Sequence, residues 1–296
     1  MLEFNQTHPG QPHYLQGFGG DTSNAVIAAA RAGAKAAYLT RLGQDKFADA
    51  LLDLWQREGV DSGAIERDAS APTGIYFVTH GPAGHEFSYL RAGSAASRMT
   101  PDWLTHGPAG AQIAHAKVLH ASGISMAISP SARDTVLAAM RWARTQQTLV
   151  SFDSNLRLKL WSLDDARQGI SQAVALCDLF LPSLEDMTAL TGLSDPDQIV
   201  DWGHQQGART VVLKLGAEGA LVSDGARRER VPGRPVPLVD ATGAGDCFCG
   251  NLLARLTQGD DVFQAARYAN AAASLAVQGF GAVAPLPTAA QVMAVL

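Results

Sequence analysis

From about residue 17 onward the chain alternates short apolar runs with amphipathic stretches, and no other feature limits its fold as much. The short apolar runs at 36–40, 117–121, 148–153, 178–181, 210–214 and 220–223 read as strands. Helical spacing occupies about 131–145, 165–176, 184–191 and 197–206, and two longer stretches, about 245–258 and 261–278, finish the chain. Asp45 is placed to cap a further helix, with Phe47, Leu51, Leu54 and Trp55 on one face and Gly59 after its last turn. Strands alternating with helices build a mainly parallel sheet covered on both faces, so the expected class is α/β. Ligands of such sheets sit beyond the carboxyl ends of the strands.

One stretch breaks the alternation. Residues 73–80 and 85–91 carry period-two apolar spacing around Gly81-Pro-Ala-Gly84, the pattern of a β-hairpin with no helix to cover it. Its expected role is to cover a site or to pair with another subunit. No internal repeat or low-complexity tract interrupts the 296 residues.

Charge narrows the partners. The formal net charge is −5 and no basic cluster occurs, which argues against nucleic acid or an anionic membrane surface. No apolar run reaches the roughly 20 residues of a membrane span. The first residues have neither a basic segment nor an apolar core of signal-peptide type, so the expected location is cytoplasmic. Cys177, Cys247 and Cys249 lack the partners of a disulfide framework or a four-ligand zinc site and read as small packed residues. His8, His13, His80, His85 and His120 accompany no nucleophile motif and read as structural or solvated.

The string Asp240-Ala-Thr-Gly-Ala-Gly-Asp246 runs directly into a helix. Gly243, Ala244 and Gly245 let backbone approach a ligand closely, and their N–H groups lie at a helix N-terminus, where partial positive charge suits a phosphate or an oxyanion. Asp246 follows at once, placed to take a proton from an attacking hydroxyl. Alone, the same residues would also serve as an ordinary helix cap.

This string resembles the C-terminal signature of the ribokinase-like (PfkB) carbohydrate kinases. Gly19-Gly20-Asp21-Thr22-Ser23-Asn24, followed by an Ala-rich helix, resembles the N-terminal signature of that family. Arg41-Leu-Gly43-x-Asp45 and Leu213-Lys214-x-Gly216-Ala-x-Gly219 extend the match along nearly the whole chain, and no Walker A pattern is present. The resemblance implies a ribokinase-like fold: an α/β nucleotide-binding and catalytic core over 17–70 and 97–296, with residues 1–16 and 71–96 forming a β lid over the substrate. It makes Asp246 the base and Gly243, Ala244 and Gly245 the anion hole. ATP and Mg²⁺ would be the cofactors, with Lys214, Gly216, Gly219, Thr242 and Asn270 toward the nucleotide. The family pattern Asn-x-x-Glu, linked to the metal through water, appears here as Ser183-Leu-Glu185-Asp, so Glu185 keeps that indirect role. Relatives also carry a strand upstream of Leu2, so the expectation is either a start set too late or a shortened first strand.

Gly20, Asp21 and Asn24 would meet the sugar in any member. Within the family, Phe87-Ser-Tyr89-Leu-Arg91-Ala-Gly93 and Phe152-Asp-Ser-Asn155-Leu-Arg157 resemble blocks of the 2-keto-3-deoxygluconate kinases. That likeness brings Tyr76, Tyr89, Arg91 and Arg157 to the sugar. Independently, two arginines suit a substrate carboxylate, which ribose and fructose lack. The expectation is phosphorylation of the C6 hydroxyl of 2-keto-3-deoxygluconate by a homodimer or dimer-based oligomer paired through the lid. The alternatives are a kinase of fructose, ribose or the galactonate epimer, and a catalytically silent sugar or nucleotide sensor. A dinucleotide-dependent dehydrogenase ranks last, since no G-x-G-x-x-G follows an early strand.

Overall fold

The computed structural model describes residues 1–81 and 84–296; the hairpin turn expected across 81–84 has its centre, Pro82 and Ala83, outside the described residues. Twelve strands are present among the described residues: β1 (Leu2–Gln6), β2 (Tyr14–Phe18), β3 (Arg41–Gly43), β4 (Glu66–Asp68), β5 (Ile75–Gly81), β6 (Gly84–Leu90), β7 (Val118–Ser122), β8 (Leu149–Asp153), β9 (Leu179–Phe180), β10 (Thr210–Lys214), β11 (Gly219–Ser223) and β12 (Arg228–Pro232). The six-stranded sheet runs β12-β11-β10-β9-β8-β7. Strands β7 to β10 are mutually parallel, and β11 and β12 return antiparallel.

Alternation along β10 shows why this sheet is buried twice. Val211 and Leu213 join a core with Val136, Met140, Phe152, Ile170 and Ile199, beneath the helices Pro130–Thr145, Leu163–Val174 and Pro196–Gln206. Val212 points the other way, to Phe248, Leu252, Phe263 and Ala266 of the helices Ala244–Gln258 and Val262–Ala276. Successive strand residues face opposite sides, so a strand covered on both must be apolar throughout.

A second sheet, ordered β2-β1-β5-β6, stands beside the cleft, with Leu2, Phe4 and Ile75 in one core with Ile27 and Leu51 of the helices Asp21–Arg31 and Lys46–Arg57. Its β5–β6 hairpin sets Tyr76 directly opposite Tyr89. The strand expected at 36–40 is not a regular one. Within that stretch only Ala37 forms a bridge, to Asp61, and the ladder begins at Arg41 in β3, paired with β4. The stretch is held from one side alone, by Tyr38 N–H to Asp61 O and Asp61 N–H to Ala36 O, each at 2.9 Å. The helices Trp103–His106, Ala109–His115 and Gly123–Ala127 and strand β12 lie outside the expected elements. Asp45 does cap the helix Lys46–Arg57, accepting from Ala48 N–H at 2.8 Å.

Candidate active site

Three of the parallel strands of the main sheet end in polar side chains: Ser122 closes β7, Asp153 closes β8 and Lys214 closes β10. They stand at the carboxyl edge, where an α/β sheet presents its crevice. A cleft of about 1740 Å³ opens there, and every site residue expected from the sequence lines it.

Asp246 lies in the first turn of the helix Ala244–Gln258. Gly243 precedes that helix at φ 76°, and a Cβ on it would press within 3.1 Å of Ala282. Both the left-handed backbone and the close approach require glycine there. The N–H groups of Gly245 and Asp246 have no carbonyl one turn back and no other partner among the described residues, which leaves them for an anion. The Ala244 amide is different: it donates to Ala241 O at 3.1 Å and is less available than the sequence implied. Asp240 braces the loop, accepting from Thr242 N–H and Oγ1 (2.9 and 2.6 Å) and from Gly281 N–H at 2.9 Å. The Thr242 hydroxyl is therefore tied to Asp240 in this state.

Asn24, only 3% exposed, donates from Nδ2 to Asp246 Oδ2 at 2.8 Å and fixes that carboxylate over the cleft. Its Oδ1 is buried and has no hydrogen-bond partner. Desolvation, with the like charge of Asp21 second, pushes the Asp246 carboxyl up to about 7, against the opposing pull of Asn24. Such a group is half ionised near neutrality and can both take and return a proton. Asp21 in turn accepts from the Ser122 hydroxyl, which joins the first helix to the end of β7.

Lys214 Nζ donates to Asp153 Oδ2 at 2.7 Å and lies 3.6 Å from where a Cβ on Gly245 would stand. Burial, the largest single influence, works against this ammonium, but Asp153, Cys249 and Asp186 together hold the lysine charged above its ordinary range. Cys249 Sγ donates to the same Asp153 oxygen at 3.3 Å, so this cysteine borders the site as well as packing in the core. Asp186 accepts from Ser154 Oγ at 2.9 Å and Leu156 N–H at 3.1 Å, shaping the 153–157 loop. Asp153, Asp186 and Ser122 were not legible as site residues. The available signal was that Ser122 follows one apolar strand run and Asp153 ends another, with Asp153 also inside the Phe152–Arg157 block.

The five other expected contacts with small molecules take different forms. The Tyr76 hydroxyl is committed to Glu3, donating to Oε2 at 2.5 Å, so it holds β1 to β5 and offers its ring edge to the cleft. Asn270 donates to the carbonyls of Val231 and Pro232 at 3.1 and 3.4 Å, anchoring the end of β12. Arg157 is exposed, with one guanidinium nitrogen on Leu156 O at 2.7 Å. Arg91 has no hydrogen-bond or ion-pair partner among the described residues, although burial disfavours its charge. The charge of Asp21 offsets only part of that cost, and a guanidinium so placed gains from an anion that joins it. Tyr89, 36% exposed, stands beside Tyr76 with ring centroids 6.0 Å apart.

The fit to a nucleotide and its metal follows from these groups. The glycine cradle, the unpaired amides and the Lys214 ammonium suit phosphate oxygens. Among the described residues no three His, Cys, Asp or Glu side chains converge as a metal cage. A divalent ion therefore suits this chain as a companion of phosphates, with the exposed Glu185 carboxylate at the rim.

Comparison with known proteins gives one outcome. The pfkB family carbohydrate kinase profile matches residues 2–289. The 2-dehydro-3-deoxygluconokinase of Escherichia coli K12 is 33% identical over 283 residues, 91% of each chain. Fructokinase-1 of Oryza sativa subsp. japonica is 34% identical over 292 residues, 95% of this chain and 89% of its own. The crystal structure of the PfkB protein from Polaromonas sp. JS666 superposes with a TM-score of 0.89 at 32% identity, over 99% of this chain and 96% of that one. The fructokinase of Vibrio cholerae O395, solved with fructose, ADP and a calcium ion, gives 0.86 at 29% identity over 99% and 96%. Fold and cleft are those of a ribokinase-like sugar kinase. The chain belongs to the pfkB family of carbohydrate kinases.

Proposed function

We propose that this kinase phosphorylates the C6 hydroxyl of 2-keto-3-deoxygluconate at the expense of Mg-ATP. The observation that carries the choice is Arg91: a guanidinium lining the cleft that makes no side-chain hydrogen bond or ion pair among the described residues, its burial only partly offset by Asp21, with Arg157 lining the same cleft. Relatives named for a sugar acid and for fructose match almost equally well, so overall identity does not separate them. A carboxylate does, because it neutralises Arg91 and a neutral sugar does not.

In this reading the β1-β2-β5-β6 sheet is the lid, residues 17–70 and 97–296 are the core, and Gly20, Asp21 and Tyr89 hold the sugar hydroxyls. ATP supplies the transferred phosphoryl group, its phosphates held by the Gly245 and Asp246 amides and Lys214, its base lying along Gly216, Gly219 and Asn270. Asp246 takes the proton of the C6 hydroxyl as that oxygen bonds to the γ-phosphorus and the bond to the ADP oxygen breaks. Lys214 and the helix N-terminus then face the charge that develops on the transferred group.

Binding tests the substrate choice without turnover. The melting temperature is expected to rise with 2-keto-3-deoxygluconate concentration and to stay flat with fructose and ribose. A rise with fructose alone would remove the sugar-acid reading. The lid also presents two free edges, β2 and β6, with Leu15 and Leu90 68% and 60% exposed. Edges of this kind pair readily, and a homodimer through the lid is the expected state. Light scattering should give twice the 31.1 kDa chain mass, and a monomer would refute the pairing.

A further inference from the structure

A lysine ammonium carries three N–H donors on a flexible stem, so the direction of its charge depends on what holds it. Lys214 ends β10, where its backbone bridges to Ser183, and its side chain is 12% exposed. Two of its donors are engaged. Nζ donates to Asp153 Oδ2 at 2.7 Å and to Cys249 Sγ at 3.6 Å, while Cys249 donates to the same carboxylate oxygen at 3.3 Å. That triangle joins β8, β10 and the helix Ala244–Gln258. The third donor has no partner among the described residues, and Nζ lies 3.6 Å from where a Cβ on Gly245 would stand.

The carboxylate is itself clamped. Asp153 is 3% exposed, and its other oxygen accepts from Asn155 N–H at 3.3 Å, across a turn in which Asn155 takes φ 30°. Asparagine is among the few residues that tolerate such a backbone. The oxygen that faces Lys214 is therefore fixed, and the flexible lysine comes to it. The titratable groups felt around the ammonium are Asp153, Cys249, Asp186, Asp246 and His120. Of the carboxylates, Asp153 is the one in contact with Nζ, and it does most to oppose burial. Without it, burial favours the neutral amine.

We propose that Asp153 is a positioning residue for phosphoryl transfer: it keeps Lys214 charged and turned so that the third N–H meets a phosphate oxygen beside the Gly245 and Asp246 amides. The role rests on the proposed seat of the ATP phosphates at that loop. Asp153 acts through Lys214 and not on the sugar. An asparagine in its place has the same shape and still accepts one ammonium hydrogen, but it supplies no charge to hold the proton on the lysine.

Two measurements on the intact chain test this, and neither needs a sugar. In the first, the unliganded protein is labelled with a trace of acetic anhydride across a pH series, and each lysine is read by mass spectrometry, since only a neutral amine reacts. In the parent, Lys214 should label at higher pH than Lys46, whose side chain is 97% exposed. In Asp153→Asn its midpoint should fall below that of Lys46 by about one pH unit or more. In the second, Mg-ATP affinity is taken from the rise in melting temperature at about pH 6 and about pH 9. Relative to the parent at the same pH, Asp153→Asn should bind about tenfold more weakly at the higher pH and recover most of that at the lower, where its lysine regains the proton. Lys214→Met should lose affinity at both, and the double variant should lose no more than Lys214→Met alone. Additive losses overturn the role, as does a Lys214 midpoint that Asp153→Asn leaves unchanged. The parent alone also decides: a Lys214 midpoint below that of Lys46 overturns it even if the variant does not fold. Mg-ATP that leaves the parent's melting temperature unmoved would instead remove the ATP reading, and this role with it.

Discussion

Asp246→Asn is expected to lower kcat by about 10³-fold, within the range for loss of a general base, while leaving the melting temperature close to that of the parent. The amide has the shape of the carboxylate and keeps a partner in Asn24, so the fold at the 2.8 Å contact persists and only the proton acceptor is lost. The parent's pH profile gives a second reading of the same group. Asp246 must be ionised to act, and its carboxyl is pushed up to about 7, so kcat/KM for the free enzyme should fall about tenfold per pH unit below that point. Burial and Asp21 raise this pKa, whereas Asn24 lowers it. Asp21→Asn should therefore move the acidic limb to lower pH and Asn24→Leu to higher pH, each with reduced turnover. An unchanged kcat in Asp246→Asn would remove Asp246 from the reaction.

The second large effect falls on Arg91. Arg91→Ala is expected to reduce kcat/KM for 2-keto-3-deoxygluconate by roughly 10- to 150-fold, the worth of a charged hydrogen bond of about 1.5–3 kcal/mol. The loss should appear mainly in KM, because the carboxylate is bound alike in ground and transition states. Since Arg91 forms no ion pair among the described residues and Asp21 only partly offsets its burial, the variant should be about as stable as the parent. Arg91→Lys should recover only part of the loss, a point charge replacing a planar fork. Arg157→Ala, at an exposed position, should cost less. Equal losses on sugar acid and neutral sugar would show that Arg91 shapes the lid and does not read the carboxylate.

The parts of the fold that local pattern determines were legible. Val211-Val-Leu213 between polar ends marked β10 to the residue, and Asp45 marked a helix start, because each signal lies within a few neighbours. The 36–40 run has strand composition but lacks the second neighbour that would make it one, and pairing is a non-local property no run can state. The site divides in the same way. Gly243, Gly245 and Asp246 could be read because one loop carries them. Tyr76 could not be placed on Glu3, 73 residues away, nor Lys214 on Asp153, 61 residues away, since only the sheet's topology brings them together. The isolation of Arg91 was equally hidden, being a statement about every group that does not reach it.

The central claim is that this cleft transfers phosphate to a sugar acid. ADP release from Mg-ATP should be measured with 2-keto-3-deoxygluconate, its galactonate epimer, gluconate, fructose and ribose. Turnover confined to the keto-deoxy acids is the predicted result, and efficient turnover of fructose or ribose, with the acids inert, would contradict it.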